Sequence, residues 1–207
     1  MLSAALAGLA LGASLIVSIG PQNSFVLQAG AVGRHVVTVV AICLLSDVVL
    51  IVAGTAGAAG LVGDDASVLT IARLAGAAFV LGYAAVTLRR AWAGRSPGVP
   101  SDRPRQRGAA PAHRRAAAGT ALAFTWLNPW VYLDTLVLLG SVADTYLGGR
   151  WWFACGAMVA SALWFTGLGA AASAIRPWFR RPRAGQLMDA FVGIVMLGTA
   201  ARLLAGV

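Results

Sequence analysis

The amino-acid sequence predicts an all-α, polytopic membrane helix bundle. About six transmembrane helices are expected, arranged as two three-helix repeats of inverted orientation, with helices one and four broken at proline. Three observations predict it. Of 207 residues, 59% are hydrophobic and 11% charged, where a soluble domain carries about 25% charge. Six apolar runs approach the roughly 20 residues needed to cross a bilayer. Two of these runs are interrupted beside polar residues, at Gly20-Pro21-Gln22-Asn23 and at Leu127-Asn128-Pro129-Trp130.

The first run extends from Leu2 to about Ala29. No Lys or Arg precedes Arg34, so the run lacks the basic start of a secretory signal and reads as a membrane segment. The second, Val36 to about Val62, has Asp47 as its only charge. The third, Ala66 to about Leu88, contains Arg73. The fourth, Ala116 to about Ala143, holds the second break and Asp134. The fifth, Trp151 to Ile175, is uncharged. The sixth, Gln186 to about Gly206, carries Asp189 and Arg202 towards its ends, where solvated placement is expected.

Residues 1–91 form the first repeat, 92–115 an Arg/Pro-rich linker expected to be disordered and cytoplasmic, and 116–207 the second repeat. Leu81-Gly82-Tyr83-Ala84-Ala85 resembles Leu197-Gly198-Thr199-Ala200-Ala201, and Pro21 is echoed by Pro129. Three spans per half would invert the second half. Six spans place thirteen of the sixteen arginines on one side. That side is cytoplasmic by the positive-inside rule, and both termini then lie outside. A first segment that dips and returns would move the N-terminus to the cytoplasm.

The net charge of +9 could suggest a nucleic-acid partner. The arginines lie in loops between apolar runs, so they read as orientation signals and no nucleic acid is expected. Gly8 with Gly12, and Gly54, Gly57 and Gly60, mark faces where helices approach closely.

Chemistry concentrates at the breaks. Proline has no N–H, so Pro21 and Pro129 deprive the carbonyls of Val17 and Thr125 of their helix donors. In hydrocarbon such carbonyls need protein, water or a ligand. Asn128 is placed to cap a helix whose first residue is Pro129. Gly20-Pro21 starts another half-helix. Their positive ends suit a carboxylate, with Gln22, Asn23 and Ser24 as neutral partners.

Asp47, in mid-span, requires a partner, a cavity or a ligand; a structural pair with Arg73 is the bland alternative. Asp134 follows Pro129 by five residues, roughly 7–8 Å along a helix. Trp126, Trp130 and Tyr132 flank the break, where an aromatic face can stack on a guanidinium. Together these residues describe a receptor for a zwitterion with a positive tail. A carboxyl stripped of water can hold a proton, so proton and guest could alternate on one Asp.

Cys43 and Cys155 lie in apolar runs and could form a transmembrane thiol-disulfide relay, but no neighbouring charge activates them. His35 and His113 lack ligand spacing, so no metal is expected. No phosphate loop or nucleophile elbow points to an enzyme or a cofactor.

The stretches Leu11-Gly12-Ala13, Gly20-Pro21-Gln22-Asn23-Ser24-Phe25-Val26, Ser46-Asp47-Val48-Val49-Leu50-Ile51, Thr125 to Thr135 (TWLNPWVYLDT) and Ser161-Ala162-Leu163-Trp164-Phe165 resemble the LysE family of basic amino-acid exporters, most of all its arginine-exporter branch. The resemblance implies export of L-arginine, L-lysine or analogues such as canavanine across a bacterial inner membrane. It directs attention to Asp47, Asn128, Pro129 and Asp134. Export of other small amino acids or of metal cations is the alternative within transport. Assembly into a homo-oligomer is compatible with such a bundle.

Overall fold

Apolar runs rich in Ala, Leu and Val, separated by Gly, Pro and Arg, become helices. The computed structural model describes residues 1–18, 20–57, 66–94, 110–146, 148–179 and 181–205. Among the described residues all regular structure is helical. The elements are α1 (Leu2–Ile16), α2 (Pro21–Val32), α3 (Val36–Thr55), α4 (Ala66–Trp92), α5 (Ala110–Trp126), α6 (Pro129–Tyr132), a π-helical stretch (Leu133–Leu138), α7 (Leu139–Asp144), α8 (Arg150–Ala174), α9 (Arg176–Phe179) and α10 (Pro182–Ala205).

Four helical stretches, Val36–Thr55, Arg73–Trp92, Arg150–Ala174 and Arg183–Ala205, are each long and apolar enough to cross a membrane. Two bent pairs bring the number to six if each is one span: Leu2–Ile16 with Pro21–Val32, at 78°, and His113–Trp126 with Pro129–Asp144, at 61°.

Glycine sets the closest helix contacts. A Cβ at Gly8 would strike the Phe153 carbonyl, and one at Gly156 the Ala5 carbonyl. Gly12 lies against Ala157. Since Gly8 meets Phe153 and Gly12 meets Ala157, α1 and α8 run in the same direction. Gly30 then meets Ala172 and Gly33 meets Arg176. The α1–α2 pair therefore follows α8 along its length and does not turn back. Gly33 ends α2 with φ 68°, a left-handed closure that a side chain would strain. Helix α10 lies antiparallel to α4, with Gly193 beside Leu88 and Gly76 near Leu203.

The main core gathers Phe25, Val26, Val39, Phe124, Phe165, Val192 and Met196 from α2, α3, α5, α8 and α10. Arg114 Nε donates to Thr38 Oγ1 at 3.1 Å, and Arg34, Arg90 and His113 line one recess. Arg34, Arg90 and Arg114, with Arg176 against Gly33, thus gather at one end of the bundle.

Three details depart from expectation. Gly57, expected on a contact face, lies beyond the end of α3 with open space where a Cβ would go. Ala110 to Arg115 are not linker but the first turns of α5; residues 95–109 of the expected linker lie outside the described residues, as does Gly60. Asp189, expected at a solvated helix end, is 1% exposed. Helix α10 begins at Pro182, which puts Asp189 nearly two turns inside it. There its carboxylate accepts a hydrogen bond from Gln28 Nε2 at 2.8 Å, and the Tyr83 hydroxyl donates to Gln28 Oε1.

Candidate functional site

Helix α1 stops at Ile16 and α2 begins at Pro21, with Gly20 as its N-cap. Two of the carbonyls at this break are met from within the chain. Asn23 Nδ2 donates to the carbonyls of Ile16, at 2.8 Å, and Ser18, at 2.7 Å. Asn23 Oδ1 accepts from Trp164 Nε1 at 3.2 Å. Asn23 thus ties α1, α2 and α8 together.

At the second interruption α5 ends at Trp126 and α6 begins at Pro129. Asn128 caps it: its side-chain oxygen accepts from the Trp130 N–H at 3.2 Å. The Asn128 N–H reaches the Thr125 carbonyl at 3.4 Å. The Tyr132 hydroxyl donates to the Trp126 carbonyl at 2.6 Å. Beyond Tyr132 the chain widens into the π-helical stretch that contains Asp134 and Thr135. Such π-turns are frequent at functional sites.

Both interruptions open on one cavity of ≈ 370 Å³, near the lower end of the usual small-molecule range of about 300–1,000 Å³. Gly20, Pro21, Gln22 and Asn23 line it from the first break. Asn128, Trp130 and Asp134 line it from the second. Asp47 reaches it from α3, Phe165 from α8, and Thr199 and Arg202 from α10. Tyr132 and Pro129 are not among its lining residues; Tyr132 serves the backbone of the break.

Asp47 is 5% exposed, and its Oδ2 accepts from Ser161 Oγ at 2.6 Å. Among the described residues no arginine comes within 4.0 Å of it, so the expected alternative pairing with Arg73 does not form. The Gln22 amide is close enough to act on both Asp47 and Cys43. Among the described residues its buried Nε2 completes no well-formed hydrogen bond, which leaves a spare donor at the cavity.

Arg202, expected in solvent, is indeed exposed but lies at the cavity. Its Cζ stands 5.2 Å from the centroid of the Trp130 ring. The aromatic face expected for a guest is covered by the chain's own guanidinium. With Asp47 and Asp134 ionised, the lining carries two negative charges and one positive.

Sequence reasoning passed over Ser161, Trp164 and Arg202 as site residues. Ser161 and Trp164 stand one helical turn apart, and the pairing of Trp164 with Asn23 spans 141 positions, which no local pattern reveals. Cys43 is buried and Cys155 exposed, and both are free thiols.

A second recess, ≈ 410 Å³, lies at the arginine-rich end and is lined by Phe25, Gln28, Arg34, His35, Tyr83 and Arg90 among others. Between the two stand Phe25, Tyr83 and Phe124. Their ring centroids are 5.4 Å apart for Phe25–Phe124, 5.9 Å for Phe25–Tyr83 and 5.0 Å for Tyr83–Phe124.

Apolar helices in this number, around a polar cavity at two helix interruptions, define a multi-pass membrane protein of the transporter class. Residues 13–206 match the family described as LysE type translocator, and the chain belongs to that family. It is 38% identical over 204 residues to the arginine exporter protein ArgO of Pectobacterium carotovorum, covering 98% of this chain and 97% of that one. A Mycobacterium tuberculosis protein provisionally named an amino-acid transporter is 42% identical over 188 residues, 90% of each chain. An Aeromonas salmonicida protein, also provisionally named an amino-acid transporter, is 38% identical over 207 residues, 100% of this chain and 98% of that one. No solved structure matches the chain.

Proposed function

We propose that the chain is a secondary transporter that exports cationic L-amino acids, arginine or lysine, across the inner membrane in exchange for protons. The observation that carries this is the single cavity lined by both helix interruptions and both aspartates. An amino acid with a basic side chain has net charge +1, which would balance the surplus negative charge of the lining. Its carboxylate fits the start of α2, where the first-turn N–H groups have no intrahelical partners and the helix dipole favours an anion. Its cationic end fits Asp47, which no arginine neutralises among the described residues. In the empty carrier the same carboxylate would hold a proton, and the two occupants exclude each other. The arginine exporter among the relatives supports the substrate class.

We further propose that the two halves are inverted repeats and that the prolines cause the breaks. The packing supports the first point. Exchanging the halves turns the α1–α8 contact into α5–α3 and the α2–α10 contact into α6–α4, and leaves α3–α8 and α4–α10 as they are; every one of these contacts is present.

The deciding experiment is efflux of labelled arginine, lysine and a neutral amino acid from proteoliposomes, with and without a pH gradient. We expect Asp47→Asn to abolish arginine efflux with the protein still folded. Undiminished efflux through Asp47→Asn would overturn the cation-site assignment, and efflux indifferent to the pH gradient would overturn proton exchange.

A further inference from the structure

Trp130 and Asp134 are four residues apart at the start of the Pro129–Asp144 helical run, so they share a face, and that face lines the cavity. Arg202 reaches it from the last turn of α10. The guanidinium lies over the Trp130 ring, and Asp134 lines the same cavity. Among the described residues no ion pair within 4.0 Å fixes Arg202. An arginine on a flexible stem, exposed and held by stacking, is easily displaced by a competing cation.

We propose that Arg202 is a tethered stand-in for the guest, occupying the cation subsite at Trp130 and Asp134 when no cationic amino acid is there. This rests on the export reading and adds to it a specificity device. Arg202 lies at the end of the bundle opposite the arginine-rich one. From there it competes with cationic amino acids arriving from outside. An outgoing guest, bound first at Asp47, need only push the tether aside to leave. The device therefore disfavours back-uptake, as a competitor at fixed high local concentration does.

The test is the half-saturating concentration of external L-arginine that stimulates efflux of labelled arginine from proteoliposomes. Arg202→Ala should lower that concentration about threefold to tenfold, the range a weak tethered cation can impose. Guanidinium chloride in the external medium should restore the wild-type value in Arg202→Ala and change the wild type little. Arg202→Lys, which keeps the charge and the ability to reach water, should fall in between and serves as the folding control.

An unchanged half-saturating concentration in both variants, with export intact, would overturn the proposal. A raised concentration for arginine but not for agmatine, which lacks the carboxylate, would also overturn it and make Arg202 a carboxylate clamp. Failure of the wild type to move any cationic amino acid would instead sink the export reading itself, a result distinct from either.

Discussion

Asn23 shows how one side chain can make a helix interruption tolerable. Its amide donates to two carbonyls that α1 can no longer serve and accepts from Trp164. Each buried polar group left unpaired costs roughly 1–3 kcal/mol. Asn23→Asp keeps the shape but, when ionised, has no proton to donate. Its melting midpoint in detergent should drop by several degrees, as should that of Asn23→Leu; a midpoint equal to wild type in both would show that other groups serve these carbonyls. The sequence showed that the break would strand carbonyls, since that follows from proline chemistry alone. It did not show who rescues them, because the donor lies seven residues downstream of Ile16 across a bend. Asp189 was misplaced for a related reason. Hydropathy started the last span at Gln186, whereas the helix starts at Pro182, in polar sequence that hydropathy discounts.

At the scale of elements, glycines decide which helices touch. Gly8 and Gly156 have a neighbouring carbonyl where a Cβ would go, whereas Gly82, Gly167 and Gly198 have open space. All five were visible as glycines, and the Gly8–Gly12 spacing correctly marked a contact face. The matched pair Gly82 and Gly198 looked equally suggestive as a repeat, yet neither supports a helix contact. Gly8→Ala should force α1 off α8 and cost about 1–3 kcal/mol, the usual penalty of overpacking. Gly198→Ala should be neutral or stabilise by up to about 1 kcal/mol, the helix-propensity gain. Denaturation of both variants in detergent checks this, and a Gly8→Ala protein as stable as wild type would contradict the contact. The π-helical stretch around Asp134 had no signature in the sequence. There the run after Pro129 packs tightly on α3, Gly54 lying against Thr135 and Gly140.

For the whole molecule, the two recesses and the aromatic rings between them bear on how a guest crosses. The orientation proposed from the arginine-rich end would put the recess at Arg34 and Arg90 on the cytoplasmic side, and the cavity holding Asp47 and Asp134 would then open the other way. Phe25 belongs to the arginine-rich recess, while Gln22 and Asn23, one turn earlier on α2, belong to the other. Along α2 the two are separated by about one helical turn, and there the buried Phe124 packs on Phe25. A small movement of α2 against α5 would transfer the opening from one face to the other, as alternating access requires. In a background with Cys43 and Cys155 replaced by Ser, Ser18→Cys should react with a membrane-impermeant maleimide added from outside, and Thr120→Cys from the cytoplasm. Adding Phe124→Leu, which thins the barrier with less loss of packing than Ala, should make Ser18→Cys reactive from the cytoplasmic side as well. Reaction of Ser18→Cys from the cytoplasm in the parent, as readily as from outside, would mean that the rings do not seal the path. Labelling of Thr120→Cys only from outside would reverse the orientation of the entire bundle.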